Sequence, residues 1–178
     1  MYDNSKETEA TKKEIEIRGR YLMMACDIEF SLFCIIMYSS PDPHNHARTG
    51  NFRKMRMANK IECAIKDLKT HKPLYYDEYE EDLNKLKVFN TIRNDMAHHK
   101  GSFNKVDDLS IFTITYIEEL NGIEGFLYKD YTEKYILESV ELFSILNSNL
   151  HILSEQLKKD LDLNDALSDS VQPNNPYS

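Results

Sequence analysis

Apolar residues recur at helical spacing along most of this chain, and where that spacing fails it gives way to alternation. From about Glu7 to Tyr38 a charged opening is followed by Tyr21, Leu22, Ala25, Cys26, Ile28, Phe30, Leu32, Phe33, Ile35 and Ile36, which predicts one long helix. From Leu22 onward its apolar residues fill more than one stripe, so the helix needs cover on two sides, by neighbours in its domain alone or with a second copy of the chain. Ser39-Ser40-Pro41-Asp42-Pro43 ends it, since proline cannot continue the hydrogen-bond ladder. Met55, Ala58, Ile61, Ala64, Ile65 and Leu68 predict a second helix over about 51–70, with Asn51 as N-cap and Pro73 closing the unit. Leu83, Leu86, Phe89, Ile92, Met96 and Ala97 predict a third over about 77–100, with acids at its start, His98, His99 and Lys100 at its end, and Gly101 at the C′ position.

Between Asp107 and Asp130 the period falls to two. Leu109, Ile111, Thr113, Thr115 and Ile117 alternate with Phe112, Ile114 and Tyr116, and a second apolar stretch follows Asn121-Gly122. This predicts a short β-hairpin insertion near 109–128, with Glu118-Glu119-Leu120 lengthening the turn beyond two residues. A last helix runs from Thr132, its N-cap, to about Leu161 on Tyr135, Ile136, Val140, Leu142, Phe143, Leu146, Leu150, Ile152, Leu153 and Leu157. The expected fold is therefore all-α: an up-and-down bundle of four to five helices with a short β-hairpin insertion. It forms a single helical domain over 1–163, followed by a disordered tail over 164–178.

Composition narrows the class. Hydrophobic residues at 41% against 29% charged, with five glycines and five prolines, describe a globular helical protein. Met1 to Glu16 lack the apolar core of a secretion signal, and Asp27 and Glu29 interrupt the longest apolar stretch, so no leader and no membrane span are expected. Three cysteines, Cys26, Cys34 and Cys63, sit in apolar helical patterns in odd number, which suits reduced, buried thiols in a cytoplasmic setting. A net charge of -8 argues against a broad nucleic-acid platform, DNA included, because phosphate neutralisation needs many exposed cations. Arg48, Arg53, Lys54, Arg56 and Lys60 nevertheless form a run free of acids, which is either a solvated helix face or a surface for RNA.

The densest chemistry lies in Arg93-Asn94-Asp95-Met96-Ala97-His98-His99-Lys100-Gly101. On one helix Arg93 and His98 diverge by about 140°. Asn94 with His98, and Asp95 with His99, share faces at i, i+4. A structural reading makes the histidines C-terminal helix cations, pairs Asp95 with His99, and bridges Arg93 to Asp27 or Glu29. A functional reading makes the segment a phosphate clamp beside proton-transfer groups. His44-x-His46 beside Asp42 and His98-His99 with Asp107-Asp108 lack the further ligands of a zinc or metal-phosphohydrolase site, so no metal or cofactor is expected. Phosphate-binding Gly-rich loops and nucleophile elbows are absent.

Arg93-Asn94 followed by Ala97-His98, at the end of a helix with Leu86 and Ile92 before it, resembles the Arg-x4-6-His signature of the HEPN superfamily, in which a polar residue follows the arginine. The order of helices over roughly Glu7 to Asp160 is also similar to that family's bundle. The resemblance implies a metal-independent endoribonuclease working as a homodimer across a cleft, often a toxin or antiviral defence effector with a cognate neutralising protein. It carries catalysis to Arg93 and His98, with Asn94 as the matched polar residue. Asp95 and His99 support them, and Arg48, Arg53, Lys54, Arg56, Lys60 and Lys100 are expected to hold RNA. Lys100 stands where some toxins of this family have a tyrosine, so the subgroup whose partner modifies that tyrosine is not implied. Since some members of the family do not cleave, a non-catalytic helical module binding protein or nucleotide is the alternative.

Overall fold

The structure is a computed structural model that describes residues 4–41, 51–106, 109–120 and 123–170. Of residues 4–8, 100, 104–106, 109, 118–120, 123–125 and 163–170 it describes the backbone. The elements run α1 (Asn4–Ser39), α2 (Met57–His71), α3 (Pro73–His98), β1 (Lys100–Val106), β2 (Leu109–Leu120), β3 (Ile123–Thr132) and α4 (Glu133–Ser170). The fold is mainly helical with a small β insertion, in line with the periodicity.

Its boundaries differ at several points. Asn51 does not cap α2: residues 51–55 form a separate turn, in which Lys54 and Met55 donate to the carbonyls of Asn51 and Phe52. Burial of Phe52 against Phe33, ring centroids 5.4 Å apart, anchors that turn. Pro73 opens α3, where its missing N–H is no loss. Thr132 does cap α4, its Oγ1 accepting from the Tyr135 amide at 3.2 Å. That helix continues to Ser170, so the expected tail is helical over 164–170 and otherwise lies outside the described residues.

By its contacts the chain forms two compact units. Unit 1 comprises 1–28 and 84–147; unit 2 comprises 29–83 and 148–178. Helices α1, α3 and α4 are long enough for each to contribute one end to each unit. In unit 1 Ile17, Tyr21, Ala25 and Ile28 are buried with Leu86, Phe89, Ile92 and Met96, and with Ile136, Phe143 and Leu146. The Phe143 ring packs edge-on to Tyr21 and Phe89 at 6.3 and 5.0 Å, and the Tyr21 hydroxyl is hydrogen-bonded to Ser139. In unit 2 Leu32, Ile35 and Ile36 are buried with Ile61, Ala64, Leu68, Leu83, Leu150, Leu153 and Leu157. There Tyr75 donates to Asp160, Tyr79 to Gln156 and Asn149 to Asp82. By length and composition α1 over Glu9–Ser39 is apolar enough to cross a membrane, while its buried residues in each unit are those of a core helix. Cys26 is exposed, against expectation; Cys34 and Cys63 are half-buried, and none of the three is in a disulfide.

The sheet belongs to unit 1 and has three antiparallel strands in the order β1-β2-β3. The expected hairpin is β2 with β3, in register from Ile111↔Thr132 to Leu120↔Ile123, so Glu118 to Leu120 lie in the strand and two residues separate the pair. Strand β1 escaped the pattern reading because Lys100-Gly101-Ser102-Phe103-Asn104-Lys105-Val106 hardly alternates. It pairs from Lys100↔Thr115 to Val106↔Leu109, and as an edge strand it needs little apolar character of its own. Gly101, expected as a helix cap, is buried within β1 opposite Ile114. There a Cβ would overlap the Phe112 ring and come within 2.7 Å of Arg18 Nη2, so close packing is what requires glycine.

Candidate functional site

The last two turns of α3 are built on Ile92 and Met96, both buried, which fix which way the polar residues between them face. Arg93 is half-buried and donates from Nη1 to Asn94 Oδ1 at 3.1 Å. Its Nε is shut off from water with no hydrogen-bond partner, as is Asn90 Oδ1 one turn earlier. Glu29, once a candidate partner for Arg93, instead accepts from Lys60, and among the described residues no carboxylate pairs with Arg93. Arg93 thus leans toward Asn94, which stands one turn before His98. His98 is exposed, and among the described residues it shares no hydrogen bond with Arg93.

Asp95 does not pair with His99. Its Oδ2 accepts from Lys129 Nζ at 2.8 Å and from the Tyr131 hydroxyl at 2.6 Å, because β3 brings two donors to its side of the helix. Burial pushes the Tyr131 hydroxyl up to about 12, and its bond to Asp95 adds to the rise. Burial works against the Lys129 ammonium, yet hydrogen bonds to Asp95 and Tyr131 outweigh it and hold its pKa above the ordinary lysine value. His99 is half-buried, its ring against Tyr116 at 5.4 Å. Asp95 and His99 are therefore committed to the fold. Asn94 is half-buried beside Arg93, and His98 is exposed.

The end of α3 is held by a residue that sequence reasoning missed. Arg18 of α1 donates from Nη1 to the Met96 carbonyl and from Nη2 to the His99 carbonyl, the latter at 2.7 Å. Its Nε is paired with Glu14 at 2.9 Å, and its guanidinium lies over the Phe112 ring at 5.7 Å. The one sequence signal for it was an ordinary i, i+4 pair with Glu14.

The basic run belongs to unit 2, whereas the end of α3 belongs to unit 1. Arg53, Lys54 and Arg56 are exposed. Lys60, by contrast, is buried: its side chain is 4% exposed, bonded to Glu29 and over the Phe52 ring at 4.6 Å. Arg48, His44, His46, Asp42, Asp107 and Asp108 lie outside the described residues, and of Lys100 only the backbone pairing with Thr115 is described. Among the described residues no three His, Cys, Asp or Glu side chains are grouped to hold a metal ion.

No model of a known protein family, no curated protein and no solved structure matches this chain.

Proposed function

We propose that the C-terminal end of α3 is an RNA-cleaving site of the HEPN type, in a metal-independent endoribonuclease that acts as a homodimer. The observation that carries this reading is the state of Arg93: a half-buried guanidinium whose Nε has no partner and which no carboxylate among the described residues neutralises. A cation withdrawn from water in this way is costly unless an anion joins it. A phosphodiester offers the oxygens that a guanidinium matches with two N–H groups.

In this reading the RNA 2′-hydroxyl attacks the adjacent phosphorus. One imidazole takes the hydroxyl proton, another returns a proton to the departing 5′-oxygen, and Arg93 stabilises the charge that develops on the phosphoryl oxygens. With His99 packed on Tyr116, His98 is the exposed imidazole here, and a second copy of the chain supplies the other. Exposed Ile15, Leu22 and Met23 of α1, in the same unit, support self-association. Exposed Arg53, Lys54 and Arg56 add cations for RNA. A cytoplasmic toxin or defence effector, held in check by a neutralising protein, is the setting this activity fits.

Single-turnover cleavage of a structured RNA in EDTA tests the assignment. Arg93→Ala and His98→Ala are each expected to slow cleavage by about 10²–10⁴. Wild-type rates in either variant refute it. That the end of α3 exposes one imidazole, His98, favours one second reading, a non-catalytic helical module that binds protein or nucleotide through Arg93. That module hydrolyses nothing, and the same substitutions then change affinity or assembly.

A further inference from the structure

The last carbonyls of a helix have no partner within it, and a glycine in left-handed conformation is the common remedy. Helix α3 does not use it, because Gly101 has already entered β1. Its end is closed from outside by Arg18, whose two terminal nitrogens take the carbonyls of Met96 and His99. These two carbonyls bracket His98. A guanidinium suits the place twice over, since its fork reaches two acceptors at once and its charge meets the negative end of the helix dipole. The fork is itself held by Glu14 at 2.9 Å and by the Phe112 ring, and Gly101 leaves it the room. The Arg18 side chain is only 18% exposed, so these contacts fill its surroundings.

We infer that Arg18 is a positioning residue for the site: by gripping the backbone on both sides of His98 it fixes where that imidazole points, and so sets the rate of the chemical step without touching substrate. This rests on the reading of Arg93 and His98 as the site. A mere stabiliser would give a lower melting temperature and an unchanged rate in the folded protein.

The full chain is compared with its Arg18→Lys and Gly101→Ala variants, using a labelled RNA hairpin, thermal melting and hydrogen exchange. Lysine keeps the charge and loses the two-pronged grip, whereas alanine at 101 keeps the arginine and displaces its fork together with the Phe112 ring. Well below melting, both variants are expected to lower the maximal single-turnover rate by about tenfold to a hundredfold, with half-saturating RNA within about twofold of wild type. Exchange at the amides of residues 97–101 is expected to quicken in both. Unchanged maximal rates in folded variants, with only melting lowered, overturn the inference. A wild-type chain that cleaves no RNA removes the site reading instead. The grip is then decided by exchange alone: faster exchange at 97–101 sustains it, and unchanged exchange overturns it.

Discussion

Two half-buried arginines in unit 1 are in opposite states. Arg18 has a partner for each of its nitrogens: a carboxylate on its own helix, two carbonyls at the end of α3, and an aromatic face above it. Among the described residues Arg93 has one carboxamide oxygen and a buried Nε with nothing to bond. The environment of Arg18 is complete and needs nothing from solution. Arg93 bonds to Asn94, and among the described residues no carboxylate neutralises it; in the proposed reading an RNA phosphate does. The contrast separates a cation with a partner for each nitrogen from one with a single partner among the described residues.

The comparison breaks most sharply in activity and stability measured together. Arg93→Ala is expected to lose cleavage by about 10³-fold while melting at or above the wild-type temperature, because it removes an uncompensated charge. If Arg93→Ala instead unfolds the protein, the guanidinium has structural partners and the contrast fails. Arg18→Ala is expected to cost about 2–4 kcal/mol in denaturant unfolding, since it leaves two carbonyls and Glu14 unpaired. A loss within about 0.5 kcal/mol would place Arg18 among ordinary surface residues.

A test of intermediate size uses the tyrosines that hold the same unit together. Tyr21 is pushed up to about 12 by burial, and Tyr131 likewise. A folded-state pKa raised above the unfolded value of about 10 gives stability that is fully present below pH 10 and lost as pH rises toward 12. Melting temperature should fall over that window, and less steeply in Tyr131→Phe. An equal slope would mean Tyr131 ionises freely in the fold. At the other end of the scale, Glu133 is lowered by its hydrogen bonds to Lys13 and Ser110. It contributes stability present above the ordinary glutamate pKa and lost as pH falls through its folded value, so Lys13→Ala should flatten the acid limb slightly. The smallest effect concerns Arg93 itself: inorganic phosphate at a few times its dissociation constant should stabilise the wild type by about 1 kcal/mol and leave Arg93→Ala unaffected. Equal stabilisation of both would put the anion elsewhere.

Much of this was legible in residue order. The run from Leu83 to Ala97 was enough for α3, because a helix closes its own hydrogen bonds and its periodicity reports which face is buried. Thr132 as a cap and the β2–β3 pair were legible for the same local reason. Strand β1 was not, since an edge strand borrows its order from the strand beside it, and Lys100 to Val106 carries almost no alternation. The structural reading paired Asp95 with His99 because spacing along one helix cannot anticipate Lys129 and Tyr131 arriving on β3. Lys60 read as one more exposed cation in a basic run, and the fold buries it against Glu29.

The site divides along the same line. Residue order alone marked the end of α3 as the place where a guanidinium, a carboxamide and an imidazole are concentrated, since these lie within two turns of one helix. It also fixed the angle of about 140° that keeps Arg93 and His98 from sharing a face. Tertiary structure decided which of those groups stay free. Lys129 and Tyr131 take Asp95, Tyr116 takes His99, and Arg18 reaches across from α1 to close the helix end around His98. Local periodicity reports only what a segment does with its own neighbours. The partners of a side chain come from residues tens of positions away, brought to it by packing.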